Sequence, residues 1–268
     1  MKLGFYTYSY IDRLKTGLEE VLERVAAAGY DGIDVSATWH DDLDPALMPA
    51  DVRSRYVRAA GRLGLEIEAV ITHLGLVPEL KGGPPVNLRG AVDVARDVGA
   101  RIVTFHIGES DGPPEDIWPA VVGHLREACE YAGKHGKVIA LDGVWSPSLI
   151  STPDLAVRLA REVGSPWFGH NYDPCYLALS GFDPAEAIPL LAPMTVHVHV
   201  KDYTGRYPDF AHRIPGEGVL DHRAYLRLLK EAGYAGYVVN ECFIDAPFER
   251  ACTVGYRTLA DALSWSRR

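Results

Sequence analysis

Clustered basic residues are missing from this sequence. Its 27 lysines and arginines are outnumbered by 36 aspartates and glutamates, which gives a formal net charge of -9. The basic residues form no run and no basic helix face. Because proteins that bind nucleic acid contact the phosphates through grouped lysine and arginine side chains, this composition argues against DNA or RNA as the main ligand.

Long apolar segments and paired cysteines are missing as well. No stretch approaches the ~20 consecutive apolar residues of a membrane-spanning helix, and the N-terminus MKLGFYTYSYIDR lacks the layout of a signal peptide. We therefore expect a cytoplasmic protein with no membrane partner. The four cysteines show no CxxC spacing, and we expect them to be reduced thiols.

A recurring unit is present along the whole chain: an amphipathic helical segment, a glycine and a short β-rich run, as in ERVAAAGYDGIDVS and ARDVGARIVTFH. A glycine at this place favours the left-handed conformation that ends many helices. The glycines in question are Gly29, Gly64, Gly99, Gly136, Gly164 and Gly233. The repetition predicts alternating helices and parallel strands.

The number of strands indicates the fold class. With KLGFYTYS and MTVHVHV added, the sequence offers eight strand candidates, the number that closes a (β/α)8 TIM barrel, and such barrels have ~250 residues. We therefore predict one TIM-barrel domain over residues 1–268. Two glycine- and proline-rich segments, 78–85 and 202–218, are long enough to cover its mouth. An open doubly wound sheet is the alternative, but it has no need for ligand-type residues on consecutive strand ends.

Four polar residues end four consecutive apolar strands. Asp142 ends KVIALD, Asp173 ends FGHNYD, His199 ends TVHVH and Glu241 ends YVVNE. Each residue singly has a simpler explanation, a turn for the aspartates and a hydrogen-bonded interior residue for the histidine. Together they predict a site for one divalent metal ion, because buried carboxylates need compensation by a cation or by hydrogen bonds.

The spacing within the strands supports this interpretation. Side chains two residues apart share a face of a strand, so His197, His199 and Lys201 point one way. Val196, Val198 and Val200 point the other way, towards the helices. A ligand set of three carboxylates and one imidazole suits Mn²⁺ first, with Mg²⁺, Co²⁺ or Zn²⁺ as alternatives.

The segments HVHVKD and RIPGEGVLDH, together with YVVNECF and NYDPCY, resemble the xylose isomerase-like TIM barrel superfamily in its sugar phosphate isomerase/epimerase branch. The resemblance covers nearly the whole chain. It implies that Asp142, Asp173, His199 and Glu241 hold the metal and that Glu241 works as an acid or base. The sequence departs from the family pattern in two places, because Asp142 stands where a glutamate is usual and Tyr176 stands where a histidine is frequent.

Further side chains on strand ends and in loops are candidates for binding the substrate: His73, His106, Trp145, Tyr176, Lys201, Arg206 and His212. The histidines could equally be hydrogen-bonded barrel residues, and Trp145 could stack on a sugar or simply cover the barrel mouth. We also expect Lys201 and Asp202 to form an ion pair at the rim.

We therefore expect a metal-dependent isomerase or epimerase of a sugar, keto-sugar or related polyol. Glu241 would remove a proton beside the substrate carbonyl to give an enediolate, and Asp142, His73 or water would return one. A dehydratase or lyase acting on an inosose or keto-sugar is the nearest alternative. A non-catalytic sugar-binding barrel or complex subunit and an endonuclease IV-like nuclease are the others. The partner is a small molecule, and a homo-oligomer is compatible with the sequence.

Overall fold

The computed structural model describes residues 1–8, 10–11, 17–37, 47–72, 87–109, 113–242 and 246–264. The strands of this part of the chain are β1 (Lys2–Tyr6), β2 (Gly32–Ser36), β3 (Glu66–Ile71), β4 (Ile102–Phe105), β5 (Val138–Asp142), β6 (Phe168–Tyr172), β7 (Thr195–Val200), β8 (Asp202–Arg206), β9 (Asp209–Arg213) and β10 (Tyr237–Asn240). The helices are α1 (Leu18–Ala28), α2 (Ala50–Leu63), α3 (Leu88–Val98), α4 (Pro114–Lys134), α5 (Pro153–Val163), α6 (Pro174–Leu179), α7 (Pro184–Leu191), α8 (His222–Glu231) and α9 (Phe248–Ser264).

Eight of these strands form a closed parallel barrel. Their order around the barrel is β1, β10, β7, β6, β5, β4, β3, β2, and β2 pairs with β1 to complete the ring. Helices connect successive barrel strands and pack on the outside of the ring. The predicted (β/α)8 fold is confirmed, and the carboxyl ends of all eight strands open at one mouth, where barrels of this type carry their sites.

The ends of the helices follow the local sequence signals. Gly29, Gly64, Gly99 and Gly164 are left-handed C-caps, whereas Gly136 and Gly233 adopt the same conformation one residue beyond the cap. At the other helix ends, the Thr152 side chain accepts a hydrogen bond from Leu155 N, and Asp183 accepts from Ala185 N. The N-caps fix where these helices begin, and the C-caps fix where the helices end and the chain turns towards the next strand.

Apolar side chains pack in two layers separated by the barrel wall. Alternate strand residues fill the interior, where the buried set is Tyr6, Tyr8, Ala69, Ile71, Ile102, Ala140, Tyr237 and Val239. The other strand face packs under the helices in a second, larger cluster that includes Val198 and Val200. Ala140 and Val239 lie two residues before Asp142 and Glu241, which confirms that these two positions share the interior parity.

The prediction for Val196 was wrong. This side chain packs against the interior cluster rather than under the helices, and it lies close to Gly169 of β6. The pairing register between β6 and β7 shifts between His170 and Asn171, opposite Val196. Such an irregularity changes the direction of one side chain without changing the residues beyond it, so Val198 and Val200 still face outwards.

The segment predicted to be a loop over residues 202–218 begins with an antiparallel hairpin of β8 and β9. Its base is held by Asp202, whose carboxylate accepts hydrogen bonds from the backbone nitrogens of Gly216, Gly218 and Leu220 at 3.1, 3.0 and 3.1 Å. His222 Nε2 lies 3.1 Å from the same carboxylate. The segment 78–85 and His73 lie outside the described residues.

Helices long and apolar enough to cross a membrane do not occur in the described part of the chain.

A buried histidine lies between the barrel and the helices. His170 is fully buried on the outer face of β6, which it shares with Phe168 and Tyr172, and neither of its ring nitrogens has a hydrogen-bond partner. Burial lowers the pKa of His170 to about 4, although the Asp142 and Asp173 carboxylates oppose the shift. The fold therefore holds this imidazole in its neutral form.

Acidification is expected to destabilise the protein through His170. The unfolded chain takes up a proton near the ordinary histidine pKa of 6.5, whereas the folded chain resists protonation down to about 4, so stability is retained above pH 6.5 and falls as the pH drops through this window. The difference corresponds to roughly 3 kcal/mol at pH 4. Urea unfolding of wild type and His170→Leu at pH 7.5 and 4.5 measures it. Equal losses of stability in the two proteins on acidification would contradict the assignment.

Candidate metal centre

Four strands bring the predicted ligands to the mouth of the barrel. Asp142 is the last residue of β5, Asp173 directly follows β6, His199 lies near the end of β7 and Glu241 directly follows β10. All four side chains are buried, with relative exposures of 4% or less. β5, β6, β7 and β10 are consecutive neighbours in the barrel, which explains why polar residues on separate segments of the chain converge.

Three of the four residues aim donor atoms at one point. His199 Nδ1 lies 3.4 Å from Glu241 Oε1 and 3.9 Å from Asp142 Oδ1. One ligand atom from each of the three residues falls within 4.8 Å of the others. His199 Nδ1 is buried and makes no hydrogen bond, which is costly for a ring nitrogen unless something binds there.

The other nitrogen of His199 explains why Nδ1 is available. His199 Nε2 lies 2.9 Å from Asp34 Oδ2, and His197 Nε2 lies 2.7 Å from the same oxygen. Asp34 is fully buried in β2, across the barrel from β7. Sequence reasoning missed Asp34, although a charged residue between Ile33 and Val35 in the apolar run GIDVS was a usable signal.

Asp173 has different partners from the other three residues. Its Oδ1 accepts hydrogen bonds from Cys175 N at 2.9 Å and Tyr176 N at 3.0 Å, which caps α6. Its Oδ2 contacts Lys201 Nζ, and the same ammonium group contacts Glu241 Oε2. The structure thus places Asp173 next to Glu241 through Lys201, and its role as a metal ligand stays a prediction.

The expected ion pair between Lys201 and Asp202 is wrong. Lys201, directly after β7, is fully buried and reaches Asp173 and Glu241, whereas the Asp202 carboxylate contacts His222 and the backbone beyond the hairpin. The two residues are adjacent in sequence, so their side chains leave the chain on opposite sides. Lys201 Nζ also lies 4.0 Å from the centre of the Tyr176 ring, which adds a cation–π contact.

Neighbouring side chains hold Asp142 in place. Asn171 Nδ2 donates a hydrogen bond to Asp142 Oδ1 at 2.6 Å, and His106 Nε2 lies 3.1 Å from Asp142 Oδ2. His106 was a predicted substrate contact, and the structure places it directly beside a candidate ligand. Asn171 shares the interior parity of β6 with Asp173 and supports the same site.

Buried charges of opposite sign shift one another's pKa values at this site. Burial raises the pKa of Asp142, but His106, His199 and Lys201 outweigh burial and hold it well below the ordinary range. Burial lowers the pKa of His199, but Glu241, Asp34 and Asp142 outweigh burial and raise it to about 9. Burial opposes the charge of Lys201 as well, and the carboxylates of Asp173 and Glu241 raise its pKa well above the ordinary value. The buried carboxylates of this site therefore stabilise the positively charged groups that lie among them.

An aromatic wall lies beside the candidate ligands. The Trp145 ring lies 5.0 Å from that of Tyr176, 5.4 Å from Tyr207 and 6.0 Å from Phe210, measured between ring centres. His212 is 5.2 Å from Phe210, and its Nδ1 lies 3.8 Å from Cys175 Sγ. The hairpin of β8 and β9 therefore adds Tyr207 and Phe210, which sequence reasoning did not single out.

Arg206 and His73 differ from the other predicted substrate contacts. Arg206 is exposed at the end of β8 and lines a cavity of about 400 Å³ formed with residues 178–181, Tyr203 and Tyr207, on the side of the hairpin facing the end of α6. The structure does not bring it to the carboxylates. His73 lies outside the described residues, and its role stays a prediction.

The donor set fits a divalent metal ion. Two carboxylate oxygens and one imidazole nitrogen converge. In the neutral ring this nitrogen would carry the lone pair, because the other ring nitrogen lies within hydrogen-bonding distance of a carboxylate and would donate to it. Sets of this kind, rich in oxygen with one nitrogen, bind Mn²⁺, Mg²⁺, Co²⁺ and Zn²⁺.

Comparison with known proteins identifies relatives over nearly the full length. The chain is 25% identical to the fructoselysine 3-epimerase of Shigella flexneri over 260 residues, which is 90% of each protein. Among solved structures, it matches the IolI protein with a bound zinc atom at a TM-score of 0.82, with 19% identity and 99% of each chain covered. It matches an L-ribulose 3-epimerase at a TM-score of 0.80, with 19% identity, over 100% of this chain and 96% of that one.

The family model described as xylose isomerase-like TIM barrel matches residues 22–267. That range includes every barrel strand except β1 and all four predicted ligands. The sugar epimerases among the relatives agree with the function class that the sequence motifs suggested. This chain belongs to the xylose isomerase-like TIM barrel family.

Proposed function

We propose that the protein is a divalent-metal-dependent isomerase or epimerase of a sugar, keto-sugar or related polyol. The observation that carries the proposal is the convergence of Asp142, Glu241 and the free ring nitrogen of His199 at the carboxyl end of the barrel. The relatives that act as sugar epimerases support the substrate class. Mn²⁺ remains the preferred ion, with Mg²⁺, Co²⁺ and Zn²⁺ as alternatives.

Asp142, His199 and Glu241 would hold the metal, with Asp173 as a predicted fourth ligand. A bound divalent ion would polarise a substrate carbonyl and acidify the neighbouring C–H bond. Glu241 would accept the proton from that carbon, because its carboxylate lies at the mouth of the barrel. Lys201 contacts Glu241 Oε2 and would keep this carboxylate oriented.

The return of the proton decides the product. Asp142 accepts a hydrogen bond from Asn171 Nδ2 and lies beside His106 Nε2. A proton on Asp142 or His106 would therefore have a short path to the substrate. Delivery to another face or another carbon gives an epimer or an isomer. Loss of a neighbouring hydroxyl as water instead gives a dehydrated product, so a dehydratase or lyase shares the first step and remains the second candidate.

The aromatic wall fits a sugar or polyol as the substrate. Trp145 and Tyr176 offer flat apolar faces next to the carboxylates, and the C–H face of a sugar packs on such surfaces while its hydroxyls reach polar groups. The rings of His212 and His106 both lie near that of Tyr176, with distances of 6.4 and 6.3 Å between ring centres. Both histidines would serve as hydroxyl contacts.

The activity is tested by incubating the protein and Mn²⁺ with a panel of ketoses and keto-polyols in D₂O. An isomerase or epimerase incorporates solvent deuterium and gives a product of otherwise unchanged composition, whereas a dehydratase gives a product that has lost water. Metal that is retained with no exchange into any member of the panel would favour a non-catalytic binding barrel.

The metal site is tested by His199→Ala. Loss of the imidazole removes the nitrogen ligand, so elemental analysis is expected to find about one Mn²⁺ per wild-type chain and little or none in the variant. His135→Ala is the control, because His135 caps α4 at the end of the barrel opposite the site, and it should retain the ion. Equal metal content in wild type and His199→Ala would remove the basis of the proposal.

A further inference from the structure

A single carboxylate oxygen in the barrel interior receives two histidines. Asp34 Oδ2 lies 2.7 Å from His197 Nε2 and 2.9 Å from His199 Nε2, while Asp34 Oδ1 accepts a hydrogen bond from Ala69 N at 3.2 Å. All three side chains are fully buried. Each contact is short enough to be a hydrogen bond, and a carboxylate can accept several at once.

The contacts decide which nitrogen of His199 carries the proton. A neutral imidazole has one N–H and one lone pair, and the hydrogen bond at one nitrogen sets the state of the other. An ionised Asp34 can only accept, so His199 Nε2 must be the donor. The lone pair is then on Nδ1, which is the atom that faces Glu241 and Asp142 without a hydrogen bond of its own.

We propose that Asp34 is a positioning residue for the metal site, which fixes the tautomer and the ring orientation of His199, and that His197 holds Asp34 in place from the other side. This inference rests on the proposed metal-dependent function. The geometry supports both parts, because Asp34 is bound by His197, His199 and the β3 backbone at once and so has little freedom to turn. A carboxylate behind a ligating histidine also makes that histidine a stronger ligand.

A second metal ion bound by Asp34, His197 and His199 is the competing interpretation, since their donor atoms also lie within 4.8 Å of one another. The hydrogen-bonding distances favour positioning, because both Nε2 atoms already reach one oxygen. The two interpretations differ in stoichiometry. Positioning predicts one ion per chain, whereas a second site predicts two.

The first experiment needs no bound metal, and a variant serves only to assign the signals. ¹⁵N NMR of the histidine side chains in the metal-free protein, assigned by comparison with His199→Gln, reports which ring nitrogen of His199 is protonated. At a pH where the imidazole is neutral, the proton is expected on Nε2. A proton on Nδ1 would overturn the inference whatever the protein binds or catalyses.

The second experiment measures Mn²⁺ affinity by competition with a chelator. Asp34→Asn removes the charge and one acceptor, and affinity is expected to fall by roughly 10–100-fold, the usual effect of losing a carboxylate behind a ligating histidine. Asp34→Glu restores the carboxylate and should recover part of the affinity. Unchanged affinity in Asp34→Asn, or two Mn²⁺ ions per wild-type chain, would overturn the proposal.

Asp202→Asn is the matched control. Asp202 is also a fully buried aspartate that contacts a histidine, with 3.1 Å between Asp202 Oδ2 and His222 Nε2, but it does not touch His199. Its loss should lower the melting temperature and leave Mn²⁺ affinity near the wild-type value. If the wild type binds no Mn²⁺, the proposed function fails, and the NMR measurement still decides the tautomer.

Discussion

Replacing Lys201 with methionine is expected to lower the free energy of unfolding of the metal-free protein by about 3–5 kcal/mol. The Lys201 ammonium is fully buried between Asp173 and Glu241, which are themselves buried. Methionine fills a similar volume but carries no charge, so two buried carboxylates lose their shared counter-ion. Urea unfolding in the presence of a chelator measures the change.

The control for this substitution is Lys134→Met. Lys134 pairs with Glu130 at 2.9 Å, but the side chains are 64% and 72% exposed, so water replaces the lost contact and the change in stability should be much smaller. A similar small loss in both variants would show that Lys201 does not compensate the two carboxylates in the folded protein.

Mn²⁺ should restore much of the stability that Lys201→Met loses. A divalent ion held by Glu241 supplies positive charge to the same carboxylates, and any ligand that binds only the folded state stabilises it. The variant should therefore gain more stability from Mn²⁺ than the wild type does. An equal gain in both proteins would indicate that the metal and Lys201 act on separate charges.

Replacing Glu241 with glutamine is expected to reduce solvent deuterium exchange into the substrate by ~10² or more, the usual scale for loss of a general base. The amide keeps an oxygen that can coordinate, so metal should largely remain, but it cannot accept the proton. Exchange reports proton abstraction whether the product is an isomer or a dehydrated sugar. Metal content is measured on the same samples.

Asp142→Glu is the companion variant. It introduces the longer carboxylate that is commoner at this family position, and it should keep the metal with a smaller change in exchange. The comparison distinguishes a ligand that also removes the substrate proton from a ligand that only binds the metal ion. If Glu241→Gln exchanges deuterium as fast as the wild type, Asp142 or His73 becomes the candidate base.

The sequence predicted the fold because the relevant signals are local. Helix caps such as Thr152 and Asp183, the glycines after the helices and the alternation within strands depend on residues a few positions apart. The hairpin of β8 and β9 was missed because the sequence DYTGRYPDFAHR offers little apolar alternation, and its base is held by Asp202 contacts with the backbone at Gly216 and beyond.

The candidate site was predictable in part for the same reason. Strand-end position and interior parity identified Asp142, His199 and Glu241, because the barrel places the ends of neighbouring parallel strands side by side. Strand-end position and interior parity could not show which side chains contact one another. Lys201 was paired with Asp202 from sequence proximity, whereas the fold pairs it with Asp173 and Glu241, which lie on other strands.

The sequence by itself determined the alternation of helices and strands, the closed barrel and the strand ends that carry ligand-type residues, since periodicity and caps are properties of short segments. Only the tertiary structure decided that Asp34 on β2 meets His197 and His199 across the barrel, and that Lys201 lies between two carboxylates. These contacts join residues far apart in the chain, and their geometry depends on the curvature of the closed sheet, which short-range sequence patterns do not encode.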